Sequence, residues 1–92
     1  MPKWDIVFVP ESEDDLERLS PTIRKRIIKK LDWFQNNFDT ITPLALGGKW
    51  QDFFKFRVGN WRVIYQIDWS TYEIIIIAID HRSKIYKRKR TY

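Results

Sequence analysis

The chain has 92 residues, of which 43% are hydrophobic and 32% charged, and it carries a formal net charge of +5. Its length suits one domain around one hydrophobic core, and its hydrophobic fraction excludes a wholly disordered chain. The sequence contains no cysteine and one histidine, which excludes disulfides, thiolate metal sites and multi-histidine sites, so we expect neither a metal nor a cofactor.

The first half of the chain predicts one strand followed by two helices. Residues 4–9 alternate enough for a strand that Pro10 closes. Ser12 stands before an acidic turn and predicts one helix start, and Ser20-Pro21 predicts a second. The second helix carries cations that we interpret as a solvated face, with nucleic-acid backbone contacts as the alternative: Arg24, Lys25, Arg26, Lys29 and Lys30.

The second half predicts a loop over residues 38–51 and then three antiparallel strands over residues 53–58, 61–68 and 72–80. The last strand contains the run IIIIAI without polar alternation, which indicates a central strand covered on both faces. The predicted order is β-α-α-β-β-β, an α+β fold in which a helical hairpin packs on a small antiparallel sheet.

A cluster of cations is predicted where the first two of these strands meet. If Gly59-Asn60 forms a two-residue hairpin turn, Arg57 lies directly opposite Arg62, and Lys55 shares their face. Like charges in facing positions destabilise a sheet, so the cluster indicates an anion site. Two alternatives are that these cations are ordinary solvated strand residues, or that they bind an acidic protein partner. The aromatic residues on the opposite face of the strands are expected to form the core.

The same stretch resembles a known family. The pattern W-x-x-F-x-K-x-R-x-G-x-W-R-V-I-Y-x-I-D, followed after an apolar strand by H-R-x-x-x-Y, is similar to the RelE/ParE superfamily of bacterial toxins, specifically its RelE-like branch. The resemblance implies an endoribonuclease (mRNA interferase) that cleaves mRNA at the ribosomal A site, with the 2′-hydroxyl attacking the adjacent phosphate. It also implies a cognate antitoxin, and mRNA and the 30S ribosome as partners.

The resemblance further implies catalytic roles for particular residues. Arg62 would clamp the scissile phosphate, Lys55 would give electrostatic support and transfer a proton, and Arg82 would stabilise charge in the transition state. Tyr86 would stack on a base or contact the 2′-oxygen. His81 is a further candidate because it ends a strand beside Arg82, and imidazole is a common general acid–base group.

Other cations are expected to bind RNA. They are Arg57, Lys49, Lys84, Lys87 and Arg88, three of them in a basic tail over residues 83–92. We expect one toxin domain over residues 1–92, cytoplasmic because the start of the chain lacks a leader pattern, with no membrane contact and no direct DNA contact. A ParE-like poison of DNA gyrase and a non-catalytic RNA-binding module remain the alternative functions.

Overall fold

Two helices pack against a five-stranded sheet in residues 3–88, the part of the chain that the structure, a computed structural model, describes. The strands are β1 (Asp5–Phe8), β2 (Leu44–Ala45), β3 (Phe54–Val58), β4 (Trp61–Asp68) and β5 (Glu73–His81), and the helices are α1 (Pro10–Arg18) and α2 (Pro21–Asn36). The strand order is β1-β5-β4-β3-β2. This arrangement confirms the predicted α+β class.

Two features of the sheet go beyond the prediction. β1 runs parallel to β5, so the sheet is mostly rather than wholly antiparallel. β2 lies inside the predicted loop, where Leu44 and Ala45 pair with Lys55 and Phe54 of β3. A strand of two residues is too short to show a period of two, and Pro43 in front of it reads as a loop signal.

The start of α1 differs from the prediction. The helix begins at Pro10 with Val9 as its N-cap, and Ser12 lies inside the first turn, where its buried hydroxyl donates to the Val9 carbonyl at 2.8 Å. Proline suits the first helical position because its φ is already helical and the missing N–H would have no partner there. The start of α2 is as predicted: Ser20 is the N-cap, and its hydroxyl oxygen accepts the Ile23 N–H at 3.5 Å.

Arg24 of α2 joins the two helices and does not belong to the predicted solvated face. Its guanidinium donates to the carbonyls of Leu16, Glu17 and Leu19 at 3.0–3.3 Å. These carbonyls lie at the end of α1, where the last turn of a helix has no backbone donors of its own. Arg24 therefore caps the first helix from the second.

The sheet is covered on both faces, as predicted for the IIIIAI strand. On one face, α2 contributes Ile27, Leu31 and Phe34 to a core that includes Val63 and Tyr65 of β4. The other face carries a second cluster of buried residues: Trp50, Phe53, Ile64, Ile77, Ala78 and Ile85. No helix within residues 3–88 is long and apolar enough to cross a membrane.

A bulge interrupts the ladder between β4 and β5. Ile64 pairs with Ala78 but Tyr65 pairs with Ile76, so Ile77 is an extra residue in β5. The extra residue lets Ile76 and Ile79 face the helices while Ile77 and Ala78 face the second cluster.

Candidate functional site

The predicted hairpin is present with the predicted pairing. Val58 pairs with Trp61 and Arg57 with Arg62 across the turn, and Gly59 has φ +59°, the left-handed conformation that glycine adopts without strain. Trp61 packs against the helix-side core. Since side chains alternate along a strand, Arg57, Arg62 and Lys55 project from the opposite face. The structure thus brings these three cations together; we call them the cationic patch.

Arg62 and Lys55 are half-buried, whereas Arg57 is exposed. Arg62 Nη1 donates to the carbonyl oxygens of Gly59 at 2.9 Å and Trp61 at 3.0 Å, which holds the guanidinium against the hairpin turn. Its neighbours across the sheet are Arg57 on β3 and Asp80 on β5. The register therefore gives Arg62 a like charge on one side and an opposite charge on the other.

Arg82 reaches the same turn from the end of β5. Its backbone N–H donates to the Asn60 carbonyl at 2.8 Å, and its side chain is exposed. This hydrogen bond continues the β4–β5 ladder one step beyond the paired residues Trp61 and His81. The backbone of Arg82 is therefore bound to the hairpin turn that also holds the Arg62 guanidinium.

His81 is not brought into the patch. It is paired with Trp61, and paired residues of an antiparallel ladder project from the same face, so the imidazole lies on the helix side. The rings of His81 and Trp61 meet edge to face at 5.4 Å between centroids. Nδ1 accepts the Ser83 N–H at 3.2 Å and lies 2.8 Å from the Ser83 hydroxyl oxygen. The register of the β4–β5 ladder therefore separates His81 from Lys55, Arg57 and Arg62.

Tyr86 lies on the patch side of the sheet, in a short 3-10 turn (Ile85–Lys87). Ile85 is fully buried in the second cluster and anchors the turn on the sheet. The Lys55 ammonium is 5.8 Å from the centroid of the Tyr86 ring. The Tyr86 hydroxyl is buried and has no hydrogen-bond partner among the described residues. The ring is thus next to the patch, but its hydroxyl faces inward.

The cations predicted to bind RNA differ in their exposure and in their contacts with the rest of the protein. Arg57, Lys49, Lys84 and Lys87 are exposed, and Lys49 donates from Nζ to the Arg88 carbonyl at 3.4 Å. Arg88 itself is tied to the protein: its Nη1 lies 2.9 Å from Asp15 and 3.6 Å from Asp80. The predicted tail is therefore held on the sheet as far as Arg88, and residues 89–92 lie outside the described part.

Sequence reasoning missed Asp15, which is only 6% exposed. β1 ends at Phe8, so β5 has no strand on its β1 side after Ile76, and the Ile79 N–H donates to Asp15 Oδ2 at 3.0 Å. The same oxygen accepts from Arg88. In the sequence Asp15 is one of several acidic residues near a helix start, and no local signal separates it from its exposed neighbour Asp14.

Comparisons with known proteins agree on the kind of protein. A family model described as the ParE toxin of the type II toxin–antitoxin system parDE matches residues 6–86. Toxin RelG of Mycobacterium tuberculosis is 27% identical in an alignment 89 residues long, which covers 92% of this chain and 98% of that protein. Both matches include β3, β4 and β5, the strands that carry the cationic patch.

Solved structures show the same fold. The RelBE2 toxin–antitoxin complex of Mycobacterium tuberculosis contains a chain with TM-score 0.77 and 22% identity, covering 88% of this chain and 100% of that one. The isolated RelE toxin of Escherichia coli has TM-score 0.71 and 19% identity over 91% of this chain and 92% of that one. The RelB–RelE complex of Methanococcus jannaschii has TM-score 0.65 and 26% identity over 88% and 95%.

Proposed function

Because the chain belongs to the RelE/ParE superfamily of toxins from type II toxin–antitoxin systems, we propose that it is an mRNA interferase that cleaves messenger RNA at the ribosomal A site. The observation that carries this proposal is the convergence of Lys55, Arg57 and Arg62 on one face of the β3–β4 hairpin, with Arg82 bound to its turn. These cations come from β3, from β4 and from the residue that follows β5, and a polyanion is the ligand that fits them.

The chemistry needs no metal. The 2′-oxygen attacks the adjacent phosphorus while the bond from phosphorus to the 5′-oxygen breaks; the 2′-hydroxyl loses its proton, and the leaving oxygen gains one. The products are a 2′,3′-cyclic phosphate and a 5′-hydroxyl. Negative charge accumulates on the phosphoryl oxygens in the transition state, and fixed donors aimed at those oxygens lower the barrier.

Arg62 is the residue we assign to the scissile phosphate. Its Nη1 is already held by two carbonyls, so the orientation of the guanidinium is set before substrate arrives. Donors that are held in place need no reorganisation during the reaction and are therefore effective. Lys55 and Arg82 would neutralise further charge, the first beside Tyr86 and the second at the hairpin turn.

Contact between the Tyr86 hydroxyl and a 2′-oxygen requires movement of the 3-10 turn, whereas stacking by the Tyr86 ring does not. Its hydroxyl is buried without a hydrogen-bond partner in the described part of the chain, so it cannot reach a 2′-oxygen in this conformation. A buried hydroxyl without a partner costs about 1–3 kcal/mol, which lowers the energy needed to move the turn. RNA on the cationic patch would then offer the hydroxyl the partner that the protein lacks.

We further propose a cognate antitoxin that carries an acidic or amphipathic segment over the cationic patch, and a cytoplasmic location for the pair. Several relatives were crystallised as complexes of toxin and antitoxin. A covering segment with carboxylates would neutralise the patch and exclude RNA from it. The pair needs no bound cofactor for this regulation.

Induced expression followed by mapping of mRNA 5′ ends tests the proposed activity. Arg62→Ala should reduce cleavage by at least roughly a hundredfold, as expected for the loss of one transition-state donor. Lys25→Ala is the control, because Lys25 is an exposed cation of α2, and α2 packs on the other face of the sheet from the patch. Unchanged cleavage in Arg62→Ala contradicts the assignment, and toxicity without new 5′ ends favours the gyrase poison or the RNA-binding module instead.

A further inference from the structure

A groove on the outer side of α2 carries a second set of cations. It has a volume of about 370 Å³ and is lined by Arg26, Lys29, Lys30, Trp33 and Val58; we call it the Trp33 groove. Three of its five lining residues are cations and none is acidic. The aliphatic stems of these cations, the indole and the valine supply apolar walls, and the charged ends form the rim.

Trp33 is the largest apolar element of the groove, and 48% of its surface is exposed. Lys30 Nζ lies 4.2 Å from the centroid of its ring, at cation–π distance. An exposed indole beside several cations is the arrangement with which proteins hold single-stranded nucleic acid, because bases stack on aromatic faces while the cations meet phosphates.

The Trp33 groove is joined to the cationic patch through one residue. If Gly59 carried a Cβ atom, that atom would lie 3.2 Å from Arg26 Nη2. The guanidinium of Arg26 therefore lies against this glycine, on the helix side of the turn. Arg62, on the opposite face, donates to the carbonyl of the same Gly59 at 2.9 Å. Two guanidinium groups thus flank the hairpin turn, and positive charge continues over its tip from one face of the sheet to the other.

We propose that the Trp33 groove is a second RNA subsite, which receives the RNA strand after it passes over the Gly59-Asn60 turn. Arg26 and Lys29 bind its phosphates, and Trp33 stacks on a base. Arg26 and Trp33 are about 10 Å apart along the helix axis, a length that a strand of a few nucleotides spans. This inference rests on the proposed function, since it extends the same RNA path.

Two observations favour RNA over an acidic peptide. The groove is continuous with the cationic patch, where an RNA phosphate is proposed to bind, so one flexible strand can occupy both. Apart from the aliphatic stems of the cations, the apolar lining of the groove is one flat ring and one half-buried valine, whereas the face of an amphipathic helix needs anchor pockets at every helical turn. We therefore assign the groove to RNA. The test described next also detects the other case, in which a protein binds there.

The test measures binding without cleavage. The probe is a labelled single-stranded RNA of about 12 nucleotides with 2′-O-methyl riboses, which lacks the attacking hydroxyl. Lys29→Gln is compared with Lys25→Gln, an exposed lysine of the same helix outside the groove. Trp33→Ala is compared with Trp69→Ala, a tryptophan that is 62% exposed at the opposite end of β4. Thermal melts confirm that each variant is folded.

The two groove variants are expected to change RNA binding in different ways, because one removes a charge and the other removes a stacking surface. Lys29→Gln should reduce the slope of log affinity against log salt by about 0.7, the value for one phosphate contact in a single strand. Trp33→Ala should weaken binding roughly five- to a hundredfold with the slope unchanged. Lys25→Gln and Trp69→Ala should match the unsubstituted protein.

Failure of this inference is distinguishable from failure of the proposed function. If both groove variants bind the probe like their controls, the RNA subsite is wrong, whatever Arg62→Ala does to mRNA cleavage. If they keep RNA affinity but escape neutralisation by the antitoxin, the groove belongs to a protein and the inference is also overturned. If Arg62→Ala still cleaves mRNA while the groove variants lose the probe, only the catalytic assignment fails.

Discussion

Asp15 offers the sharpest test of how the C-terminal turn is held on the sheet. Asp15→Ala removes the acceptor for the Ile79 N–H at 3.0 Å and for Arg88 Nη1 at 2.9 Å. A hydrogen bond to a charged group contributes about 1.5–3 kcal/mol, and a buried N–H left without a partner costs about 1–3 kcal/mol. Arg88 is 27% exposed and stays partly hydrated, so the hydrogen bond between Arg88 and Asp15 contributes less to stability than this range suggests.

We therefore expect Asp15→Ala to lower the free energy of unfolding by about 3 kcal/mol, a large part of the roughly 5–15 kcal/mol typical of a domain. For a chain of this size each kcal/mol shifts Tm by about 4–8 °C, so Tm should fall by about 12–24 °C. Asp15→Asn keeps an oxygen that can accept from Ile79 and should cost about half as much.

Thermal unfolding followed by circular dichroism, with urea titrations to check that the m-value is unchanged, measures this effect. The matched control is Asp14→Ala, the exposed neighbouring carboxylate, which should stay within about 0.5 kcal/mol of the unsubstituted protein. In the double variant Asp15→Ala, Arg88→Gln, the second substitution should cost less than it does in the unsubstituted protein, because the 2.9 Å contact to Asp15 is already lost while the 3.6 Å contact to Asp80 remains. Equal Tm values for Asp14→Ala and Asp15→Ala would refute the reasoning.

Three further predictions concern single positions. Ser20→Ala removes the N-cap of α2 and should lower stability by about 1 kcal/mol in urea titrations; no change would mean that the 3.5 Å contact to Ile23 contributes nothing. Gly59→Ala should cost about 1–2 kcal/mol, because its φ is +59° and the new methyl group would meet Arg26 Nη2 at 3.2 Å; a neutral result would show that the turn adapts. Burial raises the pKa of the Tyr65 hydroxyl. The unfolded chain therefore loses the phenolic proton from about pH 10, while the folded protein keeps it, and the free energy of unfolding should fall as the pH rises above about 10. In thermal melts at increasing pH, the Tm of Tyr65→Phe should fall less steeply above about pH 10 than the Tm of the unsubstituted protein. If the two Tm curves run parallel, Tyr65 is not the source of the pH dependence.

The elements and the cationic patch were accessible from the sequence because they depend on local rules. Ser20-Pro21 starts a helix through its own hydrogen bonding and φ, and Gly59-Asn60 selects a two-residue turn through its backbone freedom. Once the turn length is known, strand alternation decides that Arg57 faces Arg62. These features require contacts only between residues close together in the chain.

The short strand β2 and the start of α1 were not accessible in the same way. Residues 44–45 become a strand only because β3 offers them a free edge, and their own composition carries no strand signal. Pro10 is compatible with both a strand end and a helix start, and the pairing of β1 with β5 decides where the strand stops. Local propensity was ambiguous at these positions, and long-range pairing resolved it.

Taken alone, the sequence determined the element order, the hairpin register and the family, since each follows from short-range geometry or from a motif that can be read along the chain. The tertiary structure alone decided that His81 faces away from the patch, that Asp15 holds Arg88, and that Arg26 rests on Gly59. The last two join positions far apart in the chain, and the first depends on where the β4–β5 ladder sets its register. Such contacts exist only after the helices and strands have packed, because packing decides which distant side chains meet.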